Sequence, residues 1–403
     1  MDLGDMSVRT IAEGIYWVGA IDWGRQVFDE LIPLPDGTTY NAYLVQGSEK
    51  TVLIDTVDPE KEEELITNLM KLGVGSIDYV VVNHAEQDHS GSLPMILHLY
   101  PMATVLTTEK GKDLVVKLLG VPPENVRVVK DGETLSLGDR TLEFLITPWV
   151  HWPDTMLTYL QEERILFSCD LFGTHYATSE LFVTDERMVY QGAKRYYAEI
   201  MMPFRKSIQG YLDRVSTIGP RIIAPSHGPI YDRPEMILEN YREWVSDNVK
   251  NMVLIPYVSM HGSTAKMVNY LTRVLVDRGI EVMPFDLGRA DIGKLAMALV
   301  DAATIVIGTP TVLFGPHPKV AYTVFLANML RPKARCVSII GSYGWGGKTV
   351  QTITEMVGNF NAEFLEPVYI RGLADESDYQ ALDQLAEAIL EKHREYGVVK
   401  TSP

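Results

Sequence analysis

The sequence predicts an α/β protein of two domains, the second of them a doubly wound parallel sheet. Three observations carry this reading. The chain has 403 residues, which points to more than one domain. From Met252 onward, apolar strands and helices alternate in regular order, the pattern of a parallel sheet covered on both faces. Before residue 250 strands alternate with helices and turns, and two of them end in potential ligands, Asp170 and His227. The boundary falls near residue 250, giving domains 1–250 and 251–403.

Taken in order, residues 8 to 20 and 38 to 56 alternate or run apolar and read as strands of one sheet. Asp22–Glu30 between them reads as a loop. Pro59 to Leu72 reads as a helix, with Pro59 near its start and Gly73 after its end. Tyr79-Val-Val-Val82 is a buried strand, and a helix follows from about Leu93. Ile165–Asp170 is a strand ending in an acid, and Arg221–Gly228 a strand carrying His227 at its end. A helix from Pro234 to about Asp247 leads into the second pattern. Its strands are Met252–Val258, Glu281–Phe285, Thr304–Ile307, Cys336–Ile340 and Phe364–Ile370, with helices between and after them.

Composition narrows the function. Lys plus Arg number 36 and Asp plus Glu 53, a formal net charge of -17, which argues against nucleic acid or an anionic membrane as partner. Cys169 and Cys336 are the two cysteines; they form neither a disulfide framework nor a thiolate zinc site, which fits a reducing cytoplasm. Met1–Asp5 is acidic and lacks the apolar core of a signal peptide. No stretch approaches eighteen uninterrupted apolar residues, so no transmembrane helix is expected.

Chemistry concentrates in His84-Ala-Glu86-Gln-Asp88-His89, the loop leaving the Tyr79 strand. Alternate residues of such a loop can face two ways, which suits two adjacent metal ions. His151, Asp170 and His227 also lie at strand ends and complete a set of four imidazoles and three carboxylates. Seven ligands exceed one tetrahedral ion and suit two, with one carboxylate bridging and coordination left open for substrate. Carboxylate plus imidazole without thiolate is compatible with iron, manganese or zinc.

These residues carry a resemblance. The HxExDH loop with His151, Asp170 and His227 resembles the metallo-β-lactamase fold, an αββα sandwich. Hydrolytic members of that superfamily have a third histidine where this chain has Glu86. Glu86, the His151-Trp-Pro-Asp-Thr segment and a second α/β domain together resemble the flavodiiron proteins, or A-type flavoproteins, which include rubredoxin:oxygen oxidoreductases and F420H2 oxidases. The similarity covers essentially the whole chain. It implies one iron held by His84, Glu86 and His151, a second held by Asp88, His89 and His227, and Asp170 as the bridge. An anionic ligand such as Glu86 offsets the charge of an oxidised iron and so favours redox cycling over hydrolysis. Tyr196 and Tyr197 resemble a tyrosine pair near the diiron pocket, and His175 reads as an outer-sphere or structural residue. Members often carry His where this chain has Asp29.

In the second half, Ser259-Met260-His261-Gly262-Ser263-Thr264 follows the first strand and opens a helix near Ala265, a geometry that wraps a phosphate. No lysine completes a nucleotide-triphosphate motif. Thr309-Pro310-Thr311-Val312-Leu313-Phe314 follows the third strand, and Ser342-Tyr343-Gly344-Trp345-Gly346 the fourth. Both lie where ligands bind in such sheets; Trp345 or Tyr343 is placed to stack on a flat ring. This resembles flavodoxin, whose ligand is FMN. Relatives often have Asn shortly after the Thr-Pro-Thr, where this chain is apolar from Val312 to Phe314.

The expected function is a cytoplasmic flavodiiron oxidoreductase. It reduces O2 to water or NO to N2O at two irons, with electrons passing through FMN. The alternative is a dinuclear zinc hydrolase with an appended flavodoxin-like module. Two cysteines cannot build a rubredoxin module's four-thiolate iron site, so electrons are expected from a separate donor, rubredoxin or reduced F420. The resemblance also implies a head-to-tail homodimer or a dimer of dimers.

Overall fold

Strand segments rich in Val, Ile and Leu assemble into two sheets in the first half of the computed structural model, which describes residues 9–399. The acidic Met1–Asp5 segment and the head of the first strand region at residue 8 lie outside these. The larger sheet has the order Arg9–Ala12, Ile15–Trp17, Tyr43–Gln46, Thr51–Ile54, Tyr79–Val81, Thr104–Thr107, Val126–Val128. The smaller runs Thr134–Ser136, Thr141–Ile146, Met156–Leu160, Ile165–Cys169, Ile222–Pro225. Alternation along each strand sends one set of side chains between the sheets: Tyr43, Val45, Val52, Ile54, Val81 and Leu106 meet Leu142, Phe144, Met156, Leu160, Ile165 and Phe167. The opposite face of the larger sheet, including Leu44, Leu53, Val80 and Val105, packs on Leu65, Leu69, Ile96 and Val115 of three helices, Glu62–Lys71, Leu93–Leu99 and Glu109–Leu119. This is the β-lactamase-like half.

The second half is a parallel sheet in the order Glu281–Asp286, Lys250–Tyr257, Ala302–Val312, Cys336–Tyr343, with Glu363–Phe364 and Val368–Arg371 both pairing to the last of these. The order 2-1-3-4-5 is that of flavodoxin-like sheets. Val253, Ile255 and Ile340 pack under the helices Ser263–Asp277 and Glu376–Glu395 through Met267, Leu271, Leu275, Leu385 and Ile389. The chain divides into two compact units, 1–197 with 204–245, and 198–203 with 246–403.

Several elements differ in detail from expectation. The segment read as a loop, Asp22–Glu30, contains Val27–Phe28, which pairs antiparallel with Ile32–Pro33. The third strand of the second sheet runs to Val312 and turns back through Gly315–Pro316, so Thr309–Val312 are strand, not loop. The last strand is broken in two around Pro367, which has no N–H to give a ladder. Among the described residues no helix is long and apolar enough to cross a membrane.

Candidate metal centre

The HxExDH loop is clamped before it reaches the site. Asp55, directly after the strand Thr51–Ile54, accepts from the Asn83 backbone N–H and Nδ2–H, each at 2.8 Å. Asp154 accepts the Ala85 N–H at 2.8 Å. The chain then turns at Glu86 into one helical turn, Gln87–Ser90, and the Ser90 hydroxyl donates to the Ala85 and Glu86 carbonyls at 2.8 and 2.9 Å. That turn rotates Asp88 and His89 away from His84 and Glu86.

Two donor groups result. His84, Glu86, His151 and Asp170 have donor atoms within 4.8 Å of one another, and so have Asp88, His89 and His227. Asp170 reaches both. Its Oδ2 lies 2.9 Å from His84 Nε2 and 3.2 Å from His151 Nε2, while its Oδ1 lies 2.9 Å from His89 Nε2 and 3.6 Å from His227 Nε2. Glu86 Oε2 is 3.1 Å from His151 Nε2, and Asp88 Oδ2 is 3.2 Å from both His89 Nε2 and His227 Nε2. All seven side chains predicted as ligands are therefore brought together.

Closeness alone is not the telling feature. Both Asp88 oxygens, both His89 nitrogens, Asp170 Oδ1 and His84 Nδ1 are buried without a hydrogen-bond partner. His89 Nε2 and Asp170 Oδ1 sit 2.9 Å apart yet are not aligned as donor and acceptor. Unpaired buried polar atoms are costly. The Asp88 oxygens, His89 Nε2 and Asp170 Oδ1 crowd together without donor–acceptor alignment, as ligands converging on an ion between them would. The donor set fits a dinuclear centre.

Charge follows the same geometry. Burial opposes a charge on His89, but Asp88 and Asp170 outweigh it and push its pKa up to about 10. Burial likewise opposes a charge on His151, and Asp170 and Glu86 push it up to about 10. Although burial alone would raise the Asp170 carboxyl, His89 and His151 hold it well below the usual carboxylate range. An incoming metal must displace protons from these imidazoles, so its binding strengthens as pH rises.

The surrounding shell separates residues that the sequence could not. His227 Nδ1 donates to the Thr39 carbonyl at 2.7 Å, which leaves its Nε2 bare for a ligand role. Trp152 stacks on His84 at 5.6 Å between centroids. His175 is buried, its ring 4.7 Å from that of His227 and 4.8 Å from that of Tyr196, and burial pushes its imidazole pKa well down. Tyr196 thus faces the centre. Tyr197 does not: its ring packs on Tyr241 and Trp244, and its hydroxyl donates to the Trp244 carbonyl at 3.1 Å. Neighbours at a helical turn point about 100° apart, so one of the two had to leave the pocket. Asp29 sits on the Val27–Pro33 hairpin with φ +50°; partial burial, Glu86 and Asp88 raise its carboxyl pKa. Asp55, Asn83, Thr38 and Asp154 were not anticipated. An acid closing the Thr51–Ile54 strand, as Asp170 closes its own, was the available signal for Asp55.

The second unit gathers the other predicted segments at the carboxyl ends of its strands. Gly262, with φ +90°, precedes a helix that starts at Ser263, two residues before expectation. Gly262 itself brings no capping side chain, and the buried Thr264 hydroxyl has no partner, which fits a phosphate. Ser259 Oγ instead accepts from Ala265 N–H at 3.1 Å. Met260 and His261 complete this turn. Thr309 and Pro310 pair in register with Gly341 and Ser342. Thr311 Oγ1 contacts Thr349 Oγ1 at 2.8 Å and the Tyr369 hydroxyl at 2.6 Å. The hairpin closed by Val312 and Gly315 carries Leu313 and Phe314 at its tip, and the Lys348 N–H donates to the Phe314 carbonyl at 2.8 Å. Phe314 meets Trp345 edge to face at 4.9 Å. Tyr343 lies parallel to Tyr369 at 5.9 Å, while Trp345, between Gly344 and Gly346, is 61% exposed.

Comparison with known proteins agrees with this geometry. Residues 38–228 match the family model described as ODP family β-lactamase. The chain is 40% identical over 352 residues to a nitric oxide reductase of Moorella thermoacetica, covering 86% of this chain and 88% of that protein. It is 33% identical to the coenzyme F420H2 oxidase of Methanothermobacter marburgensis, covering 95% and 99%. Its fold superposes on the solved structure of rubredoxin:oxygen oxidoreductase from Desulfovibrio gigas with a TM-score of 0.93 and 31% identity, covering 98% and 100%. A β-lactamase-like half with two donor groups, a flavodoxin-like half and relatives matched along nearly their whole length lead to one assignment: the chain belongs to the flavodiiron protein family.

Proposed function

We propose that this protein is an oxidoreductase that reduces O2 to water, NO to N2O, or both, at a non-haem diiron centre fed through FMN. The observation that carries the reading is the pair of donor groups with Asp170 reaching both. His84, Glu86 and His151 would hold one iron and Asp88, His89 and His227 the other. Ser259–Thr264 would hold the FMN phosphate, with Thr309–Phe314 and Ser342–Gly346 against its ring. When bound, the irons supply one-electron chemistry at an open coordination position, and the flavin stores two further electrons.

The chain's own residues supply the rest. Asp170 fixes the separation of the two sites and balances charge on both. Glu86 adds a negative ligand to one of them, which lowers the cost of its oxidised state. Phe28, Tyr196 and His175 are buried around His227 and exclude bulk water from that side. Reduction of O2 to water consumes four electrons and four protons, and two ferrous ions and one fully reduced FMN, when bound, would together supply that number of electrons.

Electrons are proposed to arrive from a separate carrier, a rubredoxin or reduced F420. A net charge of -17 repels an acidic carrier at long range, so docking should use a local basic patch and weaken with salt. The proposed assembly is a head-to-tail homodimer, alone or paired. Its support is an apolar stripe on the helix Pro318–Leu330, where Tyr322, Phe325 and Met329 are more than half exposed. Steady-state uptake of O2 and of NO, each with the same artificial reductant, tests the function and ranks the gases. Two irons and one FMN per chain with multi-turnover gas consumption are expected. Protein purified with zinc alone and active as a hydrolase would refute the reading.

A further inference from the structure

His175 belongs to neither donor group, yet it is buried beside one of them. Thr38 Oγ1 lies 2.9 Å from His175 Nδ1 and 3.3 Å from His227 Nδ1. His227 Nδ1 already donates to the Thr39 carbonyl, so the Thr38 hydroxyl hydrogen has two acceptors left: His175 Nδ1, and the Thr39 carbonyl at 3.2 Å. The shorter contact assigns it to the imidazole. His175 then carries its own hydrogen on Nε2. That nitrogen is buried and has no partner in the protein. Both imidazoles hang from Thr38 by Nδ1, so both Nε2 atoms lie on the far side of their rings. On that side His227 Nε2 meets Asp88 at 3.2 Å. Phe28 at 5.3 Å and Tyr196 at 4.8 Å hold the His175 ring in place.

We propose that His175 aims a neutral Nε2–H toward the metal centre on the Asp88–His227 side, where it hydrogen-bonds the exogenous ligand instead of binding a metal. It is a ligand-orienting donor, and Thr38 is the positioning residue that fixes its tautomer. The inference rests on the dinuclear iron reading above.

The test uses iron-loaded, oxidised, full-length protein titrated with sodium azide and followed by its optical spectrum, with iron measured on every sample. His175→Phe keeps a ring but no donor and should weaken azide binding roughly tenfold or more at unchanged iron content. His175→Gln restores an N–H and should recover most of that loss. Thr38→Val removes the tautomer lock, and azide affinity should fall here too, without loss of iron. Native-like azide affinity in His175→Phe with two irons overturns the inference, as does a His175→Gln variant no better than His175→Phe. If His175→Phe cannot hold iron, Thr38→Val decides alone, and an unchanged affinity there overturns it. Native protein that takes up no iron pair fails the functional reading itself, which separates the two outcomes.

Discussion

Replacing Asp170 by Asn changes one heavy atom at the point where both donor groups meet. One carboxylate oxygen becomes an NH2 that has no lone pair for a metal. Its hydrogens would face imidazole nitrogens that the native oxygens approach at 2.9 Å on either side. One of the two sites must lose its anionic contact. Losing an outer-sphere partner costs about 10–100-fold in metal affinity, and a bridging ligand should cost more, so iron content should fall from two per chain toward one. Protons give a second measure. With His89 and His151 held near 10, iron uptake by native protein at pH 7 should release about two protons from these rings. Asp170 is a principal raising influence on both, so the Asn variant should release fewer. Equilibrium dialysis against ferrous iron gives the first quantity and a weakly buffered potentiometric titration the second, with circular dichroism to confirm folding. Two irons at native affinity together with native proton release would show that Asp170 does not lie between the sites.

Three further outcomes follow from the second unit. His393 is fully buried, with Nδ1 2.7 Å from Asn251 Oδ1 and Nε2 2.9 Å from Thr304 Oγ1, and burial lowers its pKa to about 4. Because this lies below the unfolded value of about 6.5, its stabilising effect is complete above that pH and is lost between about 6.5 and 4. The loss is on the order of 3 kcal/mol, and urea unfolding at stepped pH should show a shallower fall for His393→Gln than for native protein. A methyl at Gly341 would sit 1.8 Å from the Thr309 carbonyl oxygen, across the register that aligns two of the flavin segments. Gly341→Ala should therefore destabilise by about 1–3 kcal/mol and weaken FMN binding, and native melting with native FMN affinity would contradict this. The Leu313–Phe314 turn holds φ of +48° and +70°, a turn that favours Asn-Gly. Leu313→Asn with Phe314→Gly should raise stability by about 1 kcal/mol while weakening FMN, since the edge-to-face contact with Trp345 is lost; unchanged FMN affinity would place that tip away from the flavin.

Much of the fold was legible because parallel strands buried on both faces leave long apolar runs. Val253–Ile255 and Val337–Ile340 need no partner information to be read as strands. The errors fall where pairing, not propensity, decides. Gly308 and Pro310 look like breakers, yet the strand continues through them. The reason is that Lys250–Tyr257 pairs with it only as far as Gly308, while Cys336–Tyr343 still pairs beyond it. Past that point the strand has one free edge, and a proline without an N–H is tolerated there. The Val27–Phe28 hairpin was hidden for a related reason: two-residue strands have no period to detect.

The ligand set was legible because each member stands at the end of an apolar run or within one dense loop. A strand's carboxyl end is where sheets present side chains to a site. Residues that act through backbone atoms leave no such trace. Thr39 serves His227 with a carbonyl that any residue would offer, so nothing in its identity marks it. Thr38 is a threonine among many until its hydroxyl is seen between two imidazoles. Tyr196 and Tyr197 were inseparable as a pair of letters, and only the helical turn separates the one that meets His175 from the one that meets Trp244. The side chains that would carry charge can thus be read from residue type and position. Those that set their tautomers and aim depend on which carbonyl or hydroxyl passes within hydrogen-bond reach of each ring, and that is a property of the folded chain alone.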